Sequence, residues 1–271
     1  MPELPEVETV KEALKKEVLN KKILSASIYW DNIIVSPTIK EFEKQIKNQS
    51  IINIERYGKW LMFELTDYYL LSHLRMEGKY FIRNRKDPKE KHQHVFFHLE
   101  DGTDLRYADT RKFGKMYLIE KEEVFKVKPL KDLGLEPWDK KLTVDYLKKH
   151  FHRKPIKTEL LDQSIITGIG NIYADEILFL SKINPKTLAT RLKNQDYENI
   201  IKNTKKILEE AIKKGGTTVK SYTSSEGVHG RFQSNLLVHT KEKCQTCKGK
   251  ITKITVGGRG TYYCENCQRE R

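Results

Sequence analysis

The first residues of the chain are the ones with chemistry to offer. Met1-Pro2-Glu3-Leu4-Pro5-Glu6 opens it, and once Met1 is cleaved ahead of the small proline, Pro2 carries a secondary α-amine. Such a group titrates near ~8, so a useful fraction is neutral and nucleophilic at pH 7 without deep burial. An amine of this kind attacks a sugar C1′ or an aldehyde and gives an iminium. Glu3 beside it offers a general acid or base, and Glu6 a second carboxylate behind it. The same residues also read as an ordinary helix start. Leu4, Val7, Val10, Leu14 and Val18 recur at helical spacing, proline is tolerated in a first turn, and glutamate suits the dipole there.

The second chemical signal lies at the other end. All four cysteines fall after residue 243, in the pattern Cys244-x2-Cys247-x16-Cys264-x2-Cys267. Two close thiol pairs at this separation suit one tetrahedral structural Zn2+ in a ribbon, a closed site rather than a catalytic one. Between the pairs, Val256-Gly257-Gly258-Arg259-Gly260-Thr261 predicts a hairpin tip that presents Arg259.

Three stretches between these ends carry residues suited to nucleic acid. Tyr57-Gly58-Lys59-Trp60 puts a lysine after a glycine bend, either a solvated strand-end charge or a phosphate contact or proton donor. Ser72-His73-Leu74-Arg75-Met76-Glu77-Gly78 puts a methionine beside a glycine turn. Asp109-Thr110-Arg111-Lys112-Phe113-Gly114 puts a phenylalanine in a charged loop. Apolar tips beside a cation suit an enzyme that extrudes a nucleotide and fills the void: Met76 and Phe113 fill, and Arg111 holds the partner base. Core packing is the bland alternative for Met76 and Phe113.

The elements that must position these residues follow from patterning. A helix begins almost at the terminus, and Thr38 caps a short second one. Residues 23–35, 51–56, 59–65, 69–74, 80–83, 94–99 and 105–107 read as strands, with Asp101-Gly102 a hairpin turn. Residues 127–141 loosen into prolines, glycine and charge. Beyond them come helices opened by Thr143, by Pro155 and, after Gly168-Ile169-Gly170, by Asn171 as N-cap; a last helix runs from Tyr197 to Lys214. The glycine turn before a helix start exposes amides to a phosphate. The division expected is 1–130, a linker 131–141, 142–235 and 236–271. The fold class is α+β: an N-terminal β-sandwich with flanking helices, then a helical domain carrying a zinc-ribbon hairpin.

The 271 residues carry a formal charge of +14 and a sequence pI near 9.4, a footprint for a polyanion. No apolar run approaches a membrane span, and the acidic, amphipathic start is unlike a signal peptide. With the thiols confined to the ribbon, a soluble cytoplasmic protein is expected, and a monomer.

The opening decamer resembles the N-terminus of the formamidopyrimidine-DNA glycosylase family of bacterial base-excision repair. SHLRMEGKY, DTRKFG, Leu133-Gly134-Leu135-Glu136-Pro137, LLDQSIITGIGNIYADEILF and VGGRGTYYC are similar to that family's further motifs, in its order. The resemblance implies a helix-two-turn-helix in the second domain and a bifunctional glycosylase/AP lyase acting on double-stranded DNA with a damaged base, 8-oxoguanine or a formamidopyrimidine. It makes Pro2 the nucleophile, Glu3 the acid, Lys59 the catalytic lysine and Arg259 an aid to elimination. It assigns DNA contacts to His73, Met76, His92, Arg111, Phe113, Arg153, Lys157 and Asn171. It also expects a loop over the flipped base at residues 221–230. The family's pyrimidine-directed endonuclease VIII branch, and a non-catalytic DNA-binding module built on the helix turn and ribbon alone, are the competing readings.

Overall fold

A computed structural model describes residues 1–217 and 232–271; the loop expected at 221–230 lies outside the described residues. The chain divides into two compact units, the first Met1–Lys131 with residues 215–217, the second Asp132–Lys214 with residues 232–271. The division falls between Lys131 and Asp132.

The first unit opens with α1 (Leu4–Val18), whose stripe of Leu4, Val7, Val10, Leu14 and Val18 is fully buried. Burying five such side chains contributes on the order of 10 kcal/mol of transfer free energy, which explains why the helix can start so near the terminus. After β1 (Lys22–Ile28), a short 3-10 turn and β2 (Ile34–Ser36) comes α2 (Ile39–Ile46). Thr38 Oγ1 accepts the Glu41 N–H at 3.4 Å, the expected cap. Seven strands follow: β3 (Gln49–Tyr57), β4 (Trp60–Leu65), β5 (Tyr68–His73), β6 (Lys79–Asn84), β7 (Gln93–Leu99), β8 (Thr103–Ala108) and β9 (Lys115–Glu120).

These strands hydrogen-bond in the order β2-β9-β5-β4-β3-β1-β7-β8-β6. The series folds at β1, which meets β3 only through Lys22↔Ser50 and Ile23↔Gln49, then shifts register and runs beside β7. The two halves face each other as a sandwich: the Phe63 ring on β4 lies 5.8 Å from Tyr80 on β6, and the Tyr80 hydroxyl donates to Ser72 Oγ on β5 at 2.7 Å. Gly102 turns β7 into β8 at φ +83°, as Asp101-Gly102 predicts. Strand β9 was not expected, although Met116 and Leu118 alternate inward along it.

The second unit contains α3 (Val144–His150), α4 (Ile156–Leu160), α5 (Asn171–Leu180), α6 (Asn194–Lys213) and a hairpin of β10 (Thr252–Val256) and β11 (Arg259–Tyr263). Thr143 caps α3, its oxygen accepting the Tyr146 N–H. Helix α5 is the unit's spine: Tyr173, Ala174, Ile177 and Leu178 are wholly buried, and Phe179 packs with Val238, Cys244, Ile251 and Cys264 of the ribbon. One expectation is corrected here. Gly170, not Asn171, occupies the N-cap of α5; the extended backbone of a cap suits the glycine, and Asn171 is already helical. Among the described residues no helix is long and apolar enough to cross a membrane.

Candidate active site

At the start of α1, Pro2, Glu3 and Glu6 are all buried. The Glu6 carboxylate ties the segment down. Its Oε2 accepts the Glu3 N–H at 2.9 Å, and its Oε1 accepts the Thr217 N–H at 2.8 Å and hydroxyl at 3.1 Å. Gly216 lies alongside at φ +76°, where a Cβ would come 2.6 Å from Glu6 Oε1, so only glycine fits. Glu6 therefore fixes the backbone on the far side of the peptide that joins Glu3 to Pro2. Lys59 is buried at the tip of the β3–β4 hairpin, after Gly58 at φ +57°. Arg56 braces this bend, donating to Gly58 O at 3.1 Å and pairing with Glu8 at 2.8 Å.

Two loops of the same unit present the candidate void-filling residues. Met76 is 40% exposed and Phe113 49%, both unusual for large apolar side chains, and the Arg111 guanidinium stacks 4.7 Å from the Phe113 ring centre. Their support was missed at the level of sequence. Asp109, buried, accepts the N–H of Arg111 at 3.0 Å on one oxygen and those of Phe113 and Gly114 at 2.9 and 2.8 Å on the other. Beneath both loops lies the buried Tyr107 hydroxyl: a Cβ on Gly78 would sit 2.4 Å from it, and one on Gly114 only 1.8 Å. The Thr110 hydroxyl also donates to Glu77, linking one loop to the other. An aspartate opening a loop two residues before an arginine is the one sequence signal that could have found Asp109.

His73, expected to contact DNA, ends β5 at the turn that carries Met76. It is buried, its ring meets Trp60 edge-on at 4.8 Å, and its Nδ1 accepts the Arg75 N–H at 2.9 Å. Burial, with the charges of Arg75 and Lys59 adding to it, pushes its pKa down to about 3. With Nδ1 accepting, the neutral ring carries its proton on Nε2, and it shapes the turn that carries Met76. His92 is half-buried at φ +68° and joins the second loop through its carbonyl, which accepts the Asp109 N–H at 3.0 Å.

In the second unit, Arg153 is exposed but Lys157 is not. Lys157 is 0% exposed, with Nζ donating to Asp175 at 2.6 Å, Thr261 Oγ1 at 2.8 Å and Gly260 O at 3.2 Å. These donations use all three ammonium protons, so the expected direct phosphate contact is corrected: Lys157 anchors the hairpin instead. Asn171 Nδ2 also donates to Gly260 O, at 2.9 Å. Asp175 further accepts His239 Nδ1–H at 2.7 Å and the Tyr262 N–H at 3.2 Å. Its neighbour Glu176 accepts three consecutive amides, of Leu237, Val238 and His239, at 2.7, 3.0 and 2.8 Å. Two adjacent acids inside an otherwise apolar helix were the overlooked signal for this hub. Arg259 stands exposed at the hairpin tip, just after Gly257 and Gly258 at φ +55° and +75°.

The four cysteine Sγ atoms lie within 4.8 Å of one another, with Cys244–Cys267 at 3.8 Å and Cys247–Cys264 at 3.4 Å. A tetrahedron of Zn–S bonds near 2.3 Å has edges of about 3.8 Å, so this set fits one structural zinc and leaves no open position for catalysis. The Gly249 amide at Cys247, chiefly, pulls that thiol down to about 6, while burial, chiefly, pushes Cys264 up and Cys267 up to about 12.

Residues 1–116 match the family described as formamidopyrimidine-DNA glycosylase N-terminal domain, residues 133–223 that family's H2TH domain, and residues 241–269 the zinc finger found in FPG and IleRS. The formamidopyrimidine-DNA glycosylase of Oceanobacillus iheyensis is 46% identical over 273 residues, covering 99% of this chain and 98% of that one. Among solved structures, a Lactococcus lactis FPG mutant in complex with a Fapy-dG containing DNA superposes at a TM-score of 0.92 and 37% identity, covering 99% of this chain and all of that one. The Lactococcus lactis Fpg in complex with an abasic site containing DNA gives 0.91 and 39% with the same coverage. A buried amino-terminal proline and glutamate, two loops built on one tyrosine, a four-thiol ribbon on a helical unit and this end-to-end likeness together place the chain in the formamidopyrimidine-DNA glycosylase family of DNA glycosylase/AP lyases.

Proposed function

We propose that this chain excises oxidised purines, 8-oxoguanine and formamidopyrimidines, from double-stranded DNA and then cleaves the strand. The observation that carries the reading is the N-terminal segment, where Pro2 and Glu3 are buried together and Glu6 pins the Glu3 N–H. The Fapy-dG and abasic-site DNA held by the Lactococcus lactis relatives support the substrate class.

With Met1 removed, the neutral Pro2 amine attacks C1′ of the damaged nucleoside while Glu3 delivers a proton to the opening sugar. The C1′–N bond breaks, the proton that the Pro2 nitrogen sheds on bonding C1′ goes to the departing base, and an iminium joins Pro2 to the opened sugar. The iminium acidifies C2′–H. Glu3, ionised by its earlier donation, takes that proton as the 3′ phosphate leaves, and a second elimination, losing a further sugar proton, expels the 5′ phosphate, with Lys59 and Arg259 as proton donors to the departing groups. Holding the amine beside its acid makes the attack effectively intramolecular. Met76, Arg111 and Phe113 occupy the void left by the flipped nucleotide. His92, Arg153 and Asn171 contact the backbone and set register rather than read sequence.

Borohydride trapping on a duplex with 8-oxoguanine opposite cytosine tests this reading. A covalent complex mapping to the N-terminal peptide is expected for the native chain. It should be absent when two residues are added ahead of Pro2 and sharply reduced in Pro2→Gly. A native chain that binds the duplex yet never traps would overturn the amine chemistry.

A further inference from the structure

The loop joining β6 to β7, which lie on either side of β8, carries an unusual concentration of charge: Arg85, Lys86, Asp87, Lys89, Glu90 and Lys91, all exposed. Its acids are engaged by the end of β6. Glu90 pairs with Arg83 at 3.1 Å, and Asp87 Oδ2 accepts the Asn84 N–H at 3.1 Å. Among the described residues Lys86, Lys89 and Lys91 form no ion pair, and Lys89 Nζ lies 5.1 Å from the centre of the half-exposed Tyr29 ring.

Underneath sits a cation that an ordinary surface loop does not need. Arg106 on β8 is 1% exposed. Its Nη2 donates to Asn84 O at 3.1 Å and Asp87 O at 2.8 Å, and its Nη1 to Pro88 O at 3.0 Å. Asp104 holds it from behind, with one oxygen 3.2 and 3.1 Å from Arg106 Nε and Nη2. The other Asp104 oxygen accepts His98 Nδ1–H at 2.7 Å, and the Phe96 ring centre lies 4.3 Å from the guanidinium. Burying an arginine is costly unless every donor is used, and here the donors are spent on the loop's carbonyls. The carbonyls are drawn inward and the lysines are left facing solvent on a backbone of fixed shape. Such an arm contacts an anionic polymer without first having to be ordered.

We infer that the 85–91 loop is a pre-shaped arm that contacts duplex DNA phosphates through Lys86, Lys89 and Lys91, adjoining His92, and that Arg106 is the positioning residue that shapes it. The inference rests on the DNA-binding reading above.

The test is binding of a duplex of about 25 base pairs holding a tetrahydrofuran abasic-site analogue, across roughly 50 to 200 mM salt. For Lys86→Gln/Lys89→Gln/Lys91→Gln, the slope of log K against log salt should become shallower by about two to three, since each phosphate contact contributes about 0.9. A charge-matched triple at α2, Lys40→Gln/Lys44→Gln with Lys47→Gln at its C-cap, should keep the native slope. Arg106→Lys keeps the buried charge but cannot reach all three carbonyls; faster amide exchange over 85–91 and a slope shallower by about one are expected. A loop triple with the native slope, or an α2 triple that loses as much, overturns the arm. An Arg106→Lys protein with a loosened loop and a native slope overturns the positioning role. A native chain with no salt-dependent binding removes the DNA reading itself, a failure distinct from these.

Discussion

Asp109 in the first unit and Asp175 in the second perform similar work by different means. Both are 1% exposed, and each fixes the backbone that presents an arginine, Arg111 in one case and Arg259 in the other. Asp109 does so locally, through amides two to five positions further along. Asp175 works across the chain, on Lys157, His239 and Tyr262, and faces a full positive charge. A carboxylate held by neighbouring amides forms as its loop forms. One held by a buried lysine is worth having only when the whole unit has assembled, and it becomes a liability if its partner is removed.

The comparison can be broken at four points, the first expected to be the most damaging. Chelating the zinc removes on the order of 10 kcal/mol of binding energy from the ribbon that Asp175 braces. Amide exchange from Cys244 to Cys267 should collapse toward the unfolded rate, and metal analysis should show one equivalent lost. Next, Lys157→Met strands Asp175 and should cost about 3–5 kcal/mol by denaturant unfolding, with Lys157→Met/Asp175→Leu recovering part of it. A ribbon as stable in the single variant as in the native chain would show that the ion pair is dispensable.

The third concerns the turn beside the Asp109 loop. The folded-state pKa of His73 is depressed from 6.5 to about 3. The stabilisation of the neutral ring is therefore complete above about pH 6.5 and is lost as pH falls toward 3, at up to about 1.4 kcal/mol per pH unit. His73→Gln should flatten that part of the pH–stability curve; parallel curves would mean the ring is not enclosed. The smallest effect on stability is expected from Asp109→Asn, about 1–2 kcal/mol, because the amide oxygen still accepts while the second oxygen is lost. Its signature should be weaker binding of lesion duplex with melting lowered by only a few degrees, which Asp175→Asn should not reproduce.

Much of the frame was legible in the sequence because its causes are local. The stripe on α1, the Thr38 and Thr143 caps, the Asp101-Gly102 turn and the spacing of the cysteines each follow from residues close together in the chain. Errors fell where tertiary packing decides. Nothing adjacent to Lys157 or His73 announces that each is enclosed, since Asp175 is 18 positions from the lysine and Trp60 comes from another strand. Asn171 is a good cap residue by type, yet the chain uses Gly170 there and turns the asparagine toward Gly260. Arg106 was indistinguishable from a surface strand arginine until the loop it holds could be seen.

The Tyr107 hydroxyl under Gly78 and Gly114 has a practical corollary for redesign. The Met76 and Phe113 loops are not two independent variable segments but a single cassette with a common floor. Altering either one alone changes one loop over a floor that the other still shares. Libraries that aim to retune this surface should recombine residues 74–78, 107 and 109–114 as one block.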